Sequence, residues 1–213
     1  MHRSHSTRRP VQGVESARRV LSGRGRHGAA EGWQLDTVRG RVVELSGGAA
    51  TAALTVAAGL ILEAQTQGLP AAWVGEHRTG FYPPDFAARG IDLEALPVVR
   101  VNALAQRLKA LDTLMRSGGF ALILLDLGHE RIPLGVQSRL AGLAKRHHTA
   151  LLLLARSQSN TPSGNTLASL RCDTRKERTL AHQFTCRLEA VKDKVGSTGW
   201  EHEEAGDGPE GMG

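Results

Sequence analysis

Two stretches, FALILLDLG (120–128) and TALLLLARS (149–157), are apolar at nearly every position rather than at every second one. Side chains of a strand point alternately to opposite faces, so an apolar run without alternation must be covered on both sides. A parallel sheet sandwiched between helices meets that condition, and a sheet with one wet face does not. The intervening segments supply the helices. TAALTVAAGLILEAQTQG is rich in Ala and Leu and closed by Gly68. NALAQRLKALDTLMRSGG offers Asn102 as an N-cap and a glycine stop, and PLGVQSRLAGLAKRHH completes the set.

Further strands are expected in RGRVVELSG, ending near Leu45, in PAAWVG and in VVRV. A polar, Pro-containing segment, EHRTGFYPPDFAARGIDLEALP, separates the last two. After QSNTPSGN the pattern changes. TLASLRCDTRKER and HQFTCRLEAVKDK alternate apolar and polar residues like an antiparallel pair, with a further short strand near Trp200. The expected fold is α/β, with a mostly parallel central sheet flanked by helices and an antiparallel C-terminal edge.

A chain of 213 residues with 40% hydrophobic content fills one such domain. Three regions are expected: a basic arm over 1–35 with a short helix in VESARRVLSG and a linker, a core over 36–200, and an acidic Gly-rich tail over 201–213. The net charge of +6 is concentrated at the start, where residues 1–40 hold eight Arg against Glu15, Glu31 and Asp36. A basic start and an acidic end suit contact with nucleic acid or an acidic protein surface, and equally suit two solvated ends. No apolar run approaches the roughly 18 residues of a membrane span, and the first residues lack a hydrophobic signal region, so a cytoplasmic protein is expected. Cys172 and Cys186 fall in neighbouring strands without metal spacing and read as reduced, partly buried thiols. His77 and the pair His147-His148 lack the carboxylate and histidine spacing of a metal site, and none is expected.

The turn between the first strand and its helix, LSGGAATAALTV, has the outline of a phosphate-binding loop. Such a loop, GxxxxGK[ST], uses backbone N–H groups to cradle phosphates, a lysine to neutralise charge and a hydroxyl to hold magnesium. Counted from Gly48, Ala53 replaces the second glycine and Leu54 the lysine, while Thr55 keeps the hydroxyl. Counted from Gly47, nothing after the first glycine survives. Neither register restores a lysine, which argues against efficient phosphoryl transfer and makes Thr51 and Thr55 helix and cap residues.

GRVVELSGG, EAQTQGLPAAWVGEH, LMRSGGFALILLD, SGNTLASLRCDTRKER and LEAVKDKVGSTGWEHEE occur in an order and spacing that resembles the core domain of RecA recombinases, over about Val38 to Glu204. GFYPPDFAARGIDLEALPVVRV and the ending VKDKVGSTGWEHEE look most like the ImuA group, RecA-like accessory proteins of bacterial SOS mutagenesis cassettes. The resemblance implies that Glu76 matches the glutamate that activates water, and that Asp126 matches the carboxylate closing the magnesium strand. It implies an altered nucleotide sensor at Arg156, Ser157 and Gln158. The two DNA-contacting loops are short, leaving Arg131, Arg156 and Asn165 as candidate phosphate contacts. Lys192 and Lys194 match paired lysines that reach across a subunit interface towards a neighbour's nucleotide, or else form a charged strand end.

The function so implied is a RecA-like adaptor, non-catalytic or weakly catalytic, in SOS-induced translesion synthesis and mutagenesis. Its implied partners are RecA, an ImuB-type Y-family-like protein, a C-family error-prone DNA polymerase and single-stranded DNA. No cofactor is expected, because the missing lysine disfavours ATP and magnesium. A DNA-dependent ATPase and a SulA-like inhibitor of cell division are the alternatives on the same scaffold.

Overall fold

The computed structural model describes residues 32–48, 51–77, 80–156, 165–180 and 183–207. Five helices and eight strands lie among these: α1 (Leu35–Val38), β1 (Val42–Gly47), α2 (Ala53–Thr66), β2 (Ala71–Gly75), α3 (Pro83–Ala88), β3 (Val98–Arg100), α4 (Leu104–Ser117), β4 (Leu122–Gly128), α5 (Leu134–His147), β5 (Ala150–Arg156), β6 (Leu170–Leu180), β7 (Gln183–Asp193) and β8 (Glu201–Asp207). One sheet joins the strands in the order β3-β2-β4-β5-β1-β6-β7-β8. β3 through β6 in that order run parallel, and β7 and β8 pair antiparallel. The α/β architecture expected from the sequence is the one observed.

The central strands explain themselves. Leu122, Leu124, Leu152 and Leu154 turn to one face, where they meet α1, α2 and α3 through Val56, Leu60, Ile61 and Phe86. Ile123, Leu125, Leu151 and Leu153 turn to the other, against Leu108, Leu111 and Met115 of α4 and Leu140 and Leu143 of α5. Every second residue serves a different layer, so both registers of the run have to be apolar. α4 stops at Gly118, whose φ of 65° a residue with a Cβ rarely adopts.

Three expectations change. The core begins before residue 36, because Trp33 and Leu35 are buried and the Trp33 indole donates to the Val56 carbonyl at 3.0 Å. The acidic tail does not begin at 201, because Glu201–Asp207 forms β8 on the free side of β7. Asn102 does not cap α4, which starts at Leu104, and its Oδ1 accepts the His77 N–H instead. The Pro-containing segment holds α3, whose prolines sit in its first turn where a missing N–H does no harm. Residues 1–31 and 208–213, with the expected short helix and the last part of the tail, lie outside the described residues.

Cys172 and Cys186 are both free and buried, and burial pushes both thiols up, away from the thiolate form that reacts. Their strands are out of step for a bridge, since Cys172 pairs with Ala190 and Cys186 with Lys176.

Leu152→Ala empties a fully buried site on the face of β5 that packs against α2. We expect it to lower the unfolding free energy by about 3 kcal/mol in urea titration, within the usual range for buried leucine truncation.

Candidate functional site

In a parallel sheet the carboxyl ends of the strands gather on one side, and loops leaving them form the usual ligand crevice. Gly47 ends β1, Gly75 ends β2 and is followed by Glu76, Asp126 lies near the end of β4, and Arg156 ends β5. Gly47 and Arg156 are partners in the register of β1 and β5. Arg131, exposed, follows β4 on the same side. Gly48 is exposed, and the loop's middle, Ala49 and Ala50, lies outside the described residues, as do Ser157 and Gln158.

The chain's own side chains occupy this crevice. A Cβ on Gly47 would fall 2.5 Å from Thr51 Oγ1 and 2.6 Å from the Thr174 carbonyl oxygen, so the turn closes onto its own threonine. The Thr51 hydroxyl shares a 2.7 Å hydrogen bond with Thr174 Oγ1 and accepts the Ala53 N–H at 3.1 Å. A first-turn donor that an anion would need is therefore already used. Thr55 hydrogen-bonds the Cys186 thiol on β7. Leu54, partly buried, packs on the core, and its Cδ2 lies 3.4 Å from where a Cβ of Gly80 would stand. The same point is 2.8 Å from Asp126 Oδ2 and 3.6 Å from the Trp73 ring. Gly80 has a φ of 50° and closes over the mouth of the crevice, where any larger residue would collide with Asp126.

Asp126 is buried, and its Oδ1 accepts the Gly128 N–H at 3.1 Å where the β4–β5 register shifts. Glu76 is tied by its Oε1 to Arg107 Nη2 at 2.9 Å. Arg107, on α4, is a residue the sequence reading missed. It is 1% exposed and also donates to the Asp126 carbonyl oxygen at 2.8 Å, to the Asn102 carbonyl oxygen at 3.3 Å and to Glu130 Oε2. An arginine on the apolar face of a helix, beside Leu108 and Leu111, was the available signal.

These residues do not fit ATP and magnesium. The loop lacks a cation for phosphate, its hydroxyls are bonded within the protein, and both matching carboxylates are already engaged. Among the described residues no group of three or more His, Cys, Asp or Glu is arranged to hold a metal ion.

Asn165 is not a surface contact for phosphate. It is 3% exposed, its Nδ2 donates to the buried Glu44 carboxylate at 2.9 Å, and Glu44 also faces Arg171 Nε at 3.3 Å. Burial of a carboxylate demands such partners, and they draw Asn165 inward. Arg131 and Arg156 are exposed.

Lys192 and Lys194 lie at the opposite end of the sheet. Lys192 is opposite Arg171 near the start of β6, which runs parallel to β1. Lys192 Nζ donates to the Thr166 carbonyl oxygen at 3.0 Å, and Lys194 is exposed. Burial, with repulsion from Lys194 and Arg171, lowers the Lys192 pKa. Between the lysines, Asp193 binds Arg41 and accepts the N–H groups of Val195 at 2.9 Å and Gly196 at 3.1 Å. Burial alone would raise this carboxyl, but those donors outweigh it and hold it below its ordinary value of 3.8. Val191 and Val195 are exposed beside the lysines.

Strand order, the glycine turn between β1 and α2, carboxylates at the ends of β2 and β4, and the appended antiparallel strands define a RecA-like core domain. Sequence similarity agrees, and the chain belongs to the RecA-like superfamily. It is 32% identical over 197 residues to protein RecA of Corynebacterium diphtheriae, covering 74% of this chain and 52% of that protein. With protein RecA of Corynebacterium jeikeium it shares 31% identity over 235 residues, covering 92% and 60%. With that of Kineococcus radiotolerans it shares 30%, covering 74% and 56%. The chain thus spans about half the length of the curated relatives it matches. No protein-family model matches it. Among the described residues no helix is long and apolar enough to cross a membrane.

Two outcomes are expected. Thr51→Val removes the hydroxyl bonds that close the turn and lowers stability by about 1 kcal/mol in urea unfolding, the usual weight of a lost cap. Asp193→Asn flattens the acid limb of the stability curve. The folded pKa is depressed, so the contribution of Asp193 is present above its ordinary 3.8 and lost as pH falls through the lower folded value. Thermal scans of both proteins from neutral pH downward check this.

Proposed function

We propose that this protein is a RecA-like adaptor of the ImuA type, acting in SOS-induced translesion synthesis and mutagenesis by binding rather than by turning over ATP. It works in the cytoplasm on RecA, an ImuB-type Y-family-like protein and a C-family error-prone polymerase, with single-stranded DNA as a further contact. The observation that carries the reading is the contrast between the two ends of the sheet. At one end Thr51, Leu54, Gly80 and Arg107 fill the crevice where a RecA-like enzyme would need space and free donors. At the other, Lys194 is open to solvent beside Lys192, Val191 and Val195. Cations flanked by exposed apolar residues suit a protein surface that pairs acidic groups with apolar ones.

A second reading has one observation in its favour. Arg156 neighbours Gly47 in the sheet and is exposed, a cation beside the degraded loop that an ATPase needs.

Binding to RecA filaments on single-stranded DNA, measured by biolayer interferometry, tests the proposal. The double variant Lys192→Glu, Lys194→Glu is expected to bind at least about tenfold more weakly, the effect of reversing charges at an interface. Asp126→Ala is expected to bind as the wild type does. Absence of binding by the wild type to RecA and to both polymerase partners sinks the adaptor reading. A steady-state ATPase activity that DNA stimulates and that Arg156→Ala abolishes establishes the second reading instead.

A further inference from the structure

Glu76 and Glu130 leave the ends of two different segments and converge with the carbonyl oxygens of Asn102 and Asp126 on one point, and that point is the Arg107 guanidinium. Two carboxylates and two carbonyls are four hard oxygen donors, the kind of set that holds magnesium, calcium or manganese. We infer that Arg107 is the permanent occupant of this pocket, a tethered cation that bars an exchangeable divalent ion from it.

The arginine's environment supports that assignment over a role in surface pairing. Its side chain is 1% exposed, whereas those of Glu76 and Glu130 are 36% and 41% exposed. The negative groups are therefore within reach of solvent ions, and the positive group lies behind them on α4. Nη1 reaches the Asp126 carbonyl oxygen, while Nη2 serves Glu76, Asn102 and Glu130 together. Three acceptors crowd around one nitrogen that carries two hydrogens. Nε is buried and has no hydrogen-bond partner among the described residues. The hydrogen-bonding pattern is thus uneven, with acceptors gathered at the charged tip and none at Nε. A divalent ion set among these oxygens would have no fixed number of hydrogens to share out between them.

The family's chemistry brings a divalent ion to this end of the sheet, and here the residues do not accommodate one. Asp126 directs its carboxylate at Gly128 and Gly80, away from the arginine, so only its backbone oxygen joins the pocket. The guanidinium supplies the neutralising charge that Glu76 and Glu130 require, and it cannot leave. This goes beyond the adaptor reading and does not depend on any partner.

The test compares the wild type with Arg107→Met, which keeps the length of the side chain and removes the charge. Mn2+ binding is followed by electron paramagnetic resonance, and thermal unfolding is followed with and without MnCl2. The wild type is expected to bind no stoichiometric Mn2+ and to keep the same Tm. Arg107→Met is expected to have a lower Tm that Mn2+ raises, with a gain in affinity of at least about tenfold over the wild type, as four converging oxygens would give. Adding Glu76→Gln and Glu130→Gln to that variant is expected to abolish the Mn2+ response. If Arg107→Met is unfolded without metal, recovery of the native circular dichroism on adding MnCl2 supports the assignment, and continued unfolding overturns it. Stoichiometric Mn2+ on the wild type, or a folded Arg107→Met indifferent to Mn2+, also overturns it.

Discussion

β4 and β5 are apolar on both faces, and everything else is arranged to cover them. Leu124 and Leu152 press on α2 while Leu125 and Leu153 press on α4 and α5, so neither layer of helices can be removed without exposing the middle of the sheet. Each buried leucine contributes roughly 2 kcal/mol of transfer free energy, and the density of such residues fixes both register and layering. Position at the sheet centre then fixes where β4 ends, and hence where Asp126 emerges. The candidate site is a product of that packing rather than an addition to it.

The same hydrophobic logic accounts for the closed crevice. A nucleotide-binding end needs a turn that stays open and donors without internal partners. Here Leu54 joins the apolar cluster around Trp73, Phe81 and Phe86, and Thr51 and Thr55 turn their hydroxyls to β6 and β7. Leu54 is apolar, so burial draws it inward and the turn follows. Arg107 completes the change electrostatically, since carboxylates that remain at a closed site need a counter-charge held in place.

Much of this was legible in the sequence. The unbroken apolar runs gave the parallel, two-faced sheet, and the change to alternation after Asn165 gave the antiparallel edge. What stayed hidden depends on distant residues meeting. Asn165 looked like a loop amide until Glu44, 121 residues away, was seen to need it. In sequence Glu76 reads only as the match of a water-activating glutamate, and nothing near it signals that α4 places Arg107 against it, 31 residues on. β8 is expected only as a short strand near Trp200, and its extent is obscured by composition, because Glu201, Glu203 and Glu204 read as an acidic tail. Its inward positions, His202 and Glu204, lie across from Leu188 and Cys186, where apolar residues would have announced a strand. Trp33 was lost to the basic stretch before it, since one buried indole makes no periodic signal.

β8 also bounds the sheet. Its outer side has no strand partner among the described residues, so its backbone donors and acceptors could template a second chain. Glu201 and Glu203 are exposed along it, and Glu203 is held by Arg187 at 2.7 Å. Two such edges laid side by side would bring rows of carboxylates together, an arrangement that repels most strongly in dilute salt and less once counter-ions shorten the range to about 10 Å near 0.1 M. Acidity at this position therefore disfavours the pairing of two copies of this edge.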